Sequence, residues 1–420
     1  MVLRPAPLNN LSYLIGVILS EKTMNIIVKT IQSDDAPPWD AYVHSHPHST
    51  LYHLSGWENI ISKTYGHNTY YLVANKHNSK LETRNSKQKN SYEPKVIGVL
   101  PLVHLKHFLF GNNLLSIPFF DLGGILADDE ETEKALLSQA MRIGQDLKAK
   151  DIELRHLEPL SWLAHSSQLT ANAKKDIPMS YDISLPREAQ SMFQWGAMSY
   201  ATKSHKVRML LDLPESSEIL MESFKAKLRS QIKKPIKEGL ESKIGGLELL
   251  EDFFKVFAIN MRDLGSPVHS KKLMQNVFEE FPDKCKIIVV YKNDQPIACS
   301  LVIGFKETLE NPWASSLRKY SRLSPNMLLY WTMLEYACDN GYAYFDFGRS
   351  SPDEGTYKFK EQWGAKPSPL YWHSIHLKGK PENIEDPEKS KFSKAIQYWQ
   401  KLPVPVTKIL GPMIRKHIGL

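Results

Sequence analysis

The chain has 420 residues, of which 42% are hydrophobic and 24% are charged, and its formal net charge is +7. This composition is that of a globular protein with a buried core, the length predicts two domains, and three cysteines argue against a disulfide framework. The modest positive charge favours anionic partners such as phosphates, a membrane surface or RNA, but it selects none of them.

The N-terminal residues contain an apolar run that is too short to cross a bilayer. The run covers residues 11–19, and residues 20–22 lack the small side chains of a signal-peptide cleavage site. Strand-like sequence begins only after Met24. We therefore expect residues 1–23 to be an extension that is non-native or misassigned, and a native protein whose mass begins at Met1 would contradict this.

The sequence predicts a weak internal repeat of one α/β unit. The first copy consists of strands at residues 70–74 and 96–103, an amphipathic helix at 131–150 and a strand at 151–156. The segment 75–94 between the first two strands is rich in Asn, Ser and Lys, and we expect it to be a mobile insertion.

The second copy repeats this order about two hundred residues later. It consists of strands at residues 286–291 and 296–304, a helix at 325–340 and a strand at 342–348. The sequence Lys-Asn-Asp-Gln at 292–295 predicts a hairpin between its first two strands. Two copies explain the length better than one large sheet, so we predict an α/β protein with two tandem domains, each a mixed sheet flanked by helices.

Two further stretches carry positive charge. Residues 225–237 contain six basic residues and no acid, with Pro235 expected to end or kink the helix that they form. Residues 385–420 combine apolar side chains with lysines and arginines, which is typical of an amphipathic tail that packs on the protein or on a membrane surface.

Residues 344–365 are the most informative segment. Aromatic residues alternate with Asp346 on a predicted strand, and a polar, glycine-flanked loop with Arg349, Lys358 and Lys360 follows. A carboxylate at a strand end facing a basic loop suits a binding site. The alternative is a strand, a hairpin turn and a solvated charge cluster, and the local pattern alone does not distinguish the two.

Several familiar catalytic motifs are missing from the sequence. It has no G-x-S-x-G elbow, P-loop, G-x-G-x-x-G after a strand or H-E-x-x-H. The histidines at 44, 46, 48 and 53 lack the two spaced ligand pairs of a structural zinc site, so we predict no metal.

At four segments the chain resembles the FemAB-related branch of the GNAT acyltransferase superfamily. More narrowly, it is similar to FemAB-type proteins of PEP-CTERM/exosortase and exopolysaccharide systems. The four segments lie at residues 49–57, 120–124, 229–234 and 345–365, and the last is the most specific. The resemblance implies two tandem GNAT-like domains, at residues 24–190 and 200–378, followed by the tail at 385–420.

The resemblance also implies transfer of an acyl or aminoacyl group to an amine. The donor is aminoacyl-tRNA or acyl-CoA, used as a co-substrate with no tightly bound cofactor. The glycines of the CoA-binding loop are missing at residues 319–326, which speaks against CoA. The acceptor that the resemblance implies is a phosphate-bearing envelope or polysaccharide precursor, with tRNA as a further partner. We expect the protein in the cytoplasm, with a peripheral contact to the inner membrane through the C-terminal tail.

For the site, we predict Asp346 as the residue that orients or deprotonates the amine. The predicted substrate-binding residues share a positive charge or an aromatic ring: Arg349, Lys358, Lys360, Trp363, Tyr357, Arg322, Arg229 and Lys233. A structural role for Asp346 and a solvated face for the basic helix are the competing interpretations. A second hypothesis is a non-catalytic GNAT-like protein that binds anionic glycan or lipid phosphate, and a third is an RNA-binding role.

Overall fold

The computed structural model describes residues 26–32, 35–76, 95–160, 162, 192–195, 198–352, 354–377 and 388–419. The predicted extension at 1–23 and residues 77–94 of the predicted insertion lie outside this part of the chain. The described strands are β1 (Ile26–Thr30), β2 (Asn68–Thr69), β3 (Leu72–Lys76), β4 (Lys95–Leu100), β5 (Val103–His107), β6 (Gly111–Leu115), β7 (Leu126–Ala127), β8 (Asp151–His156), β9 (Met192–Trp195), β10 (Met198–Lys203), β11 (Val207–Asp212), β12 (Leu240–Gly245), β13 (Cys285–Lys292), β14 (Gln295–Phe305), β15 (Thr308–Ser316), β16 (Tyr344–Ser350), β17 (Lys366–Pro369) and β18 (Tyr371–His376).

The described α-helices flank these strands. They are α1 (Ala36–Ser45), α2 (Gly56–Tyr65), α3 (Glu130–Asp146), α4 (Ser217–Ser223), α5 (Ala226–Lys237), α6 (Leu250–Leu264), α7 (Lys271–Glu280), α8 (Pro325–Asp339), α9 (Gly355–Glu361), α10 (Glu388–Lys401) and α11 (Val404–Arg415). Short 3₁₀ helices lie at Leu51–His53, Leu247–Leu249 and Arg318–Leu323. The mixture of strands and helices confirms the predicted α/β class.

The strands form three sheets. The first half of the chain builds a four-stranded sheet in the order β1-β3-β4-β7 and most of a seven-stranded sheet in the order β2-β5-β6-β8-β18-β10-β9. The second half builds a seven-stranded sheet in the order β12-β13-β14-β15-β16-β11-β17. Helix α6 packs on one face of this last sheet, and α5 and α8 cover the other, so its central strands are buried on both sides.

Each half contains one short parallel pair of strands connected by a long helix. In the first half, β6 leads through the short strand β7 to α3 and then to β8, and β6 pairs in parallel with β8. In the second half, β15 runs into α8 and returns as β16, and β15 pairs in parallel with β16. The same order of elements in both halves is the physical basis of the repeat seen in the sequence.

The hairpin predicted at residues 292–295 connects β13 to β14. Asn293 and Asp294 both have positive φ values, 48° and 60°, as a two-residue type I′ turn requires. Asn and Asp tolerate this conformation better than other side chains. The helix predicted at 325–340 is also confirmed, because α8 begins at Pro325 and ends at Asp339.

The prediction of a loop after β16 was wrong, because residues 355–361 form helix α9. Phe359 and Trp363 are four residues apart, and their rings meet each other and the ring of Tyr330 on α8. Glycine and proline around this segment suggested a turn, but they only mark the entry to the helix. The spacing of Phe359 and Trp363, one helical turn apart, agrees with α9 but spans its end and is too short to predict the helix.

Strand β18 crosses from the second half of the chain into the sheet of the first. It pairs antiparallel with both β8 and β10, as β11 pairs antiparallel with β16 in the other unit. The predicted limits 24–190 and 200–378 place β10 and β18 at or inside the second domain, whereas both strands hydrogen-bond within the first sheet. The two units are therefore interleaved through their last strands.

The C-terminal tail packs on the protein along one side of α11. Thr407 and Gly411 are buried, and α11 lies against α6. A Cβ atom added at Gly411 would come within 2.8–3.1 Å of atoms of Val268, including its backbone, so only glycine allows this close approach. In the part of the chain that the structure describes, we found no helix long and apolar enough to cross a membrane.

Candidate active site

A cavity of about 390 Å³ lies between the two units and beneath the C-terminal tail. Its walls carry Tyr52 and Asp121 from the first unit, Glu310 from the second and Arg415 from the tail, among other residues. Four cations and three carboxyl groups line it: Arg208, Arg349, Lys360 and Arg415, and Asp121, Glu310 and Asp346. An interdomain cavity with convergent charged groups is the default candidate for an active site.

The cavity opens where β15 and β16 separate. The two strands pair in parallel only over Thr308–Glu310 and Tyr344–Asp346, so Glu310 and Asp346 form the last pair. Beyond it, residues 311–314 of β15 and 347–349 of β16 line opposite parts of the cavity. The register between β14 and β15 also shifts at this point, which is a local irregularity of the kind that often lies beside active sites.

Glu310 is a buried carboxyl group with an unusual pKa. Burial and the nearby negative charge of Asp346 raise the pKa of Glu310 to about 7, although Arg208 and a hydrogen bond from Tyr52 oppose this rise. The Glu310 side chain is only 6% exposed, yet it lines the cavity. A carboxyl group with a pKa near neutrality can accept and return a proton at physiological pH.

Asp346 lies beside Glu310 but has different partners. Its Oδ2 lies 3.0 Å from Nε of Arg208 in an ion pair, and its Oδ1 accepts a hydrogen bond of 2.8 Å from the backbone N–H of Gly348. Gly348 has a φ of 74°, so Asp346 holds the backbone where it leaves the regular strand. Both contacts hold the Asp346 carboxylate in a fixed position between Arg208 and the backbone of Gly348.

Asp121 and Arg349 connect the two units across the cavity. Nη1 of Arg349 donates to Oδ1 of Asp121 over 2.9 Å, and both side chains are about a quarter exposed. Burial raises the pKa of Asp121, and the charge of Arg349 partly opposes this. The guanidinium groups of Arg155 and Arg349 both lie about 5 Å from the ring of Trp372 on β18, so a cation–π cluster supports the junction.

Lys360 closes the site from α9. Its Nζ donates to the carbonyl oxygens of Gly348 (3.0 Å) and Arg349 (2.8 Å), which fixes the backbone after Asp346. Burial lowers the pKa of Lys360 to about 8, and the negative charges of Asp346 and Asp121 oppose this shift. Lys360 is therefore a structural cation of the cavity wall at neutral pH.

Arg415 reaches the cavity from the end of α11. Its Nε donates to Nε2 of His269 over 3.0 Å. His269 is buried, and burial and the charge of Arg415 hold its pKa well below the ordinary value, so the ring is neutral. Because Nε2 accepts from Arg415, Nδ1 carries the proton and donates to the hydroxyl of Tyr65 over 3.1 Å.

The structure brings together three of the predicted site residues, Asp346, Arg349 and Lys360, at the cavity. Trp363 is buried in the core against Phe224 and Tyr330, and Tyr357 packs beside that core. Lys358 is exposed on α9. Six of the predicted site residues do not line the cavity: Trp363, Tyr357, Lys358, Arg322, Arg229 and Lys233.

The predicted basic residues of α5 lie away from the cavity. Arg229 is partly exposed and Lys233 is exposed on this helix, which packs on α8 and β12. Arg322 is exposed in the 3₁₀ helix before α8, where its backbone carbonyl accepts a hydrogen bond of 2.8 Å from Nζ of Lys234. This arrangement agrees better with a solvated basic face than with a share in the cavity.

The sequence alone did not point to Glu310, Arg208, Tyr52 or Arg415. Glu310 lies in the segment Thr-Leu-Glu-Asn-Pro, and an acid directly before Asn-Pro in an apolar strand was the available signal. Tyr52 and Asp121 lie within two of the segments that carried the family resemblance. Within the described residues, no group of three or more His, Cys, Asp or Glu side chains could hold a metal ion.

The second unit and the overall fold resemble known proteins. Residues 223–361, one third of the chain, match the family model described as an acetyltransferase (GNAT) domain. The crystal structure of FemX aligns over 82% of this chain and 96% of its own, with 16% identity and a TM-score of 0.54.

Two further structures align at lower similarity. A tandem GNAT protein from the clavulanic acid biosynthesis pathway covers 85% of this chain and 100% of its own (9% identity, TM-score 0.47), and L-PGS from Bacillus licheniformis covers 93% and 98% (11%, 0.45). A search of curated protein sequences found no match. The chain therefore shares its fold with FemX over most of its length, and residues 223–361 of its second unit match the model of an acetyltransferase (GNAT) domain.

Proposed function

We propose that the protein is an N-acyltransferase that moves an acyl or aminoacyl group to an amine on a cell-envelope or exopolysaccharide precursor. The observation that carries this proposal is Glu310, a buried carboxyl group with a pKa raised to about 7, placed where β15 and β16 separate. The GNAT match at residues 223–361 supports acyl transfer as the reaction class.

In the proposed reaction, the acceptor amine attacks the carbonyl carbon of the donor. Glu310 takes the proton that the amine loses as the N–C bond forms. The bond from the carbonyl carbon to the oxygen or sulfur of the donor then breaks, and the leaving atom takes a proton. Backbone N–H groups along the separated strands are suited to stabilise the oxyanion between these steps.

The charged neighbours of Glu310 keep its pKa in a useful range. Burial and Asp346 raise the pKa of Glu310, while Arg208 and Tyr52 lower it, so the group is neither permanently ionised nor permanently neutral. We therefore propose Glu310 as the general base and Asp346 as the residue that positions Arg208 and the backbone of Gly348. In this proposal Arg349 and Lys360 shape the cavity wall.

The acyl donor is proposed as aminoacyl-tRNA or acyl-CoA. Incubation of the purified protein with each donor and with amine-bearing sugar or peptide acceptors, followed by mass spectrometry, distinguishes the two. A tRNA donor also predicts binding that weakens steeply with salt, because phosphate contacts release counterions. Salt-insensitive binding together with a CoA-derived product would favour acyl-CoA.

The narrower assignment, to FemAB-type proteins of PEP-CTERM/exosortase systems, stays a proposal supported by the four sequence segments. Its test compares envelope polysaccharide from cells with and without the gene by mass spectrometry. We expect an acyl or aminoacyl mass to disappear when the gene is removed, and to return with the wild-type gene but not with Glu310→Gln. Identical spectra would contradict the envelope acceptor.

A non-catalytic protein that binds anionic glycan or lipid phosphate is the alternative. Under that alternative, the wild type would form no product with any donor, and Glu310→Gln would bind the ligand as the wild type does. The positive balance of the cavity favours this alternative only if no turnover is found.

We also propose the cytoplasmic face of an anionic membrane as the working location. Four apolar side chains of α11 are 37–68% exposed, and Phe108 and Leu109 at the tip of the β5–β6 hairpin are 88% and 71% exposed; we call these six residues the apolar face (Val406, Ile409, Leu410, Met413, Phe108 and Leu109). The ring of His417, just beyond α11, lies 4.2 Å from that of His107, which brings helix and hairpin together.

The charges around the apolar face suit anionic lipid. Residues 389–420 contain six lysines and Arg415 but no acid, and residues 101–120 contain Lys106 and no acid. Arg415 lines the cavity, so the lysines supply the charge around the apolar face. Exposed apolar side chains surrounded by basic residues are typical of proteins that lie on anionic bilayers.

We expect Ile409→Glu to reduce binding to vesicles of equal phosphatidylglycerol and phosphatidylcholine at least tenfold, measured by co-sedimentation. Ile244→Glu, which changes an exposed isoleucine on β12, is the matched control and should bind as the wild type does. Vesicles of phosphatidylcholine alone should bind weakly. Equal binding by both variants, or a wild-type dimer in ultracentrifugation that Ile409→Glu dissociates, would contradict the membrane proposal.

A further inference from the structure

We infer that Arg415 forms an anion-binding subsite in the cavity, and that its ligand is a phosphoryl group of one of the substrates. The inference rests on the proposed function for the identity of the substrate, but the subsite itself follows from the contacts of the cations. Arg415 lies outside the segment that matches the GNAT model, so the tail would supply a binding group that the domain itself lacks.

The cations that line the cavity differ in what they already bind. Arg208 is paired with Asp346, Arg349 with Asp121, and Lys360 donates to two carbonyl oxygens. Arg415 donates its Nε–H to neutral His269, and within the described residues no carboxylate lies within ion-pair distance of its guanidinium. Its charge is therefore the one among these four that no anionic or carbonyl partner balances.

Partial burial of a charge that has no counter-charge is unfavourable in free energy. Burial lowers the pKa of Arg415 to about 10, and the like charges of Arg349 and Arg155 add to the effect. The group remains cationic at neutral pH, since its pKa stays well above 7. A cation held in this way is stabilised when an anion enters the cavity.

The surroundings of Arg415 fix its direction. The bond to His269 uses Nε, and His269 is itself held by the hydroxyl of Tyr65. The guanidinium lies 5.9 Å from the centre of the Phe119 ring. The two terminal nitrogens of Arg415 have no hydrogen bond to a described residue, so they are the pair available for two oxygens of one ligand.

A phosphoryl group is the ligand class that suits this arrangement best. It offers two or three oxygens to the parallel N–H groups of one guanidinium, and both proposed donors and the proposed acceptors carry phosphate. Close packing of Gly411 on Val268 fixes α11, and therefore the position of Arg415, relative to α6 and the cavity.

The test is the binding of inorganic pyrophosphate to the full-length protein, measured by isothermal titration calorimetry. We expect Arg415→Met to weaken binding at least tenfold and Arg415→Lys to weaken it about threefold, because lysine keeps the charge but loses the paired N–H groups. Lys272→Met removes an exposed cation near His269 that does not line the cavity, and should bind pyrophosphate as the wild type does.

Two results would overturn the subsite: pyrophosphate binding by Arg415→Met equal to that of the wild type, or equal losses in Arg415→Met and Lys272→Met. The lysine variant keeps the test valid if the methionine variant does not fold. Pyrophosphate binding needs no turnover, so this test is independent of the test for acyl transfer. Either proposal can be contradicted while the other holds. Where turnover is found, a raised KM for the donor or for the acceptor in Arg415→Lys tells which substrate carries the phosphoryl group.

Discussion

Replacement of Glu310 by glutamine should strongly slow acyl transfer while leaving substrate binding in place. Glutamine has nearly the same shape and still accepts the hydrogen bond from Tyr52, but it cannot take a proton from the amine. General-base catalysis contributes roughly 10²–10⁴ in rate, so we expect kcat to fall by about that factor. The dissociation constants of donor and acceptor should change by less than about threefold, since glutamine fills the same space in the cavity wall.

The pH dependence gives a second and independent readout of Glu310. Only the ionised carboxylate can act as a base, so kcat/KM of the wild type should rise with pH and level off above about pH 7. Any residual activity of Glu310→Gln should lack this rise. Glu307→Gln, which changes an exposed glutamate just before β15, is the control and should keep both the rate and the profile.

The substitution Glu310→Gln should also stabilise the protein at alkaline pH. The pKa of Glu310 is raised from an ordinary value of 4.5 to about 7, so the folded state holds the proton more tightly than the unfolded chain does. The stability from this group is therefore present below about pH 4.5 and is lost as pH rises through 7. We expect Glu310→Gln to melt about 3 °C higher than the wild type at pH 8, and to differ little at pH 4.5. A lower Tm at pH 8 would contradict the raised pKa.

Replacement of Asp346 by asparagine should destabilise the fold and move the pH profile, rather than remove activity at every pH. The ion pair with Arg208 is largely buried, with 13% and 7% of the two side chains exposed. Removal of one partner of a buried pair costs about 3–5 kcal/mol, because the remaining charge is left uncompensated. Denaturant unfolding measures this loss, and Asp212→Asn, which breaks an exposed pair with Lys366, should cost far less than Asp346→Asn.

The direction of the profile shift separates a positioning role from a catalytic one. Asp346 raises the pKa of Glu310 and Arg208 lowers it, so loss of the Asp346 charge lowers the pKa of Glu310 on both counts. The rise of kcat/KM should then move to lower pH in Asp346→Asn. Complete loss of activity at all pH values in a folded variant would instead support Asp346 as the base.

The linear pattern of apolar and polar residues determined much of the fold. The strand at Asp151–His156, the helix that begins at Pro325 and the turn at Asn293–Asp294 all agree with the sequence, because periodicity and turn chemistry act over a few residues. The aromatic residues around Asp346 likewise predicted a half-buried strand. Helix α9 was missed because seven residues with flanking glycines carry too short a pattern.

The sequence predicted only some of the residues that line the cavity. Asp346, Arg349 and Lys360 lie close together in sequence, so one segment was enough to suggest them. Glu310, Asp121 and Arg415 come from three other parts of the chain, and no local pattern connects them. The predicted cations Lys358, Arg229 and Lys233 show the limit of reasoning from charge alone, since a basic residue on a helix is equally at home facing solvent.

The sequence by itself determined that two copies of one α/β unit follow each other and that the second ends in an unusual acidic and basic segment. Only the tertiary structure decided which charges are buried and which partners they have. Burial is the physical reason, because the pKa of Glu310 and the unbalanced charge of Arg415 arise from neighbours distant in sequence. Glu310 becomes a candidate base, and Arg415 a candidate anion site, because of the groups that surround them in the folded protein.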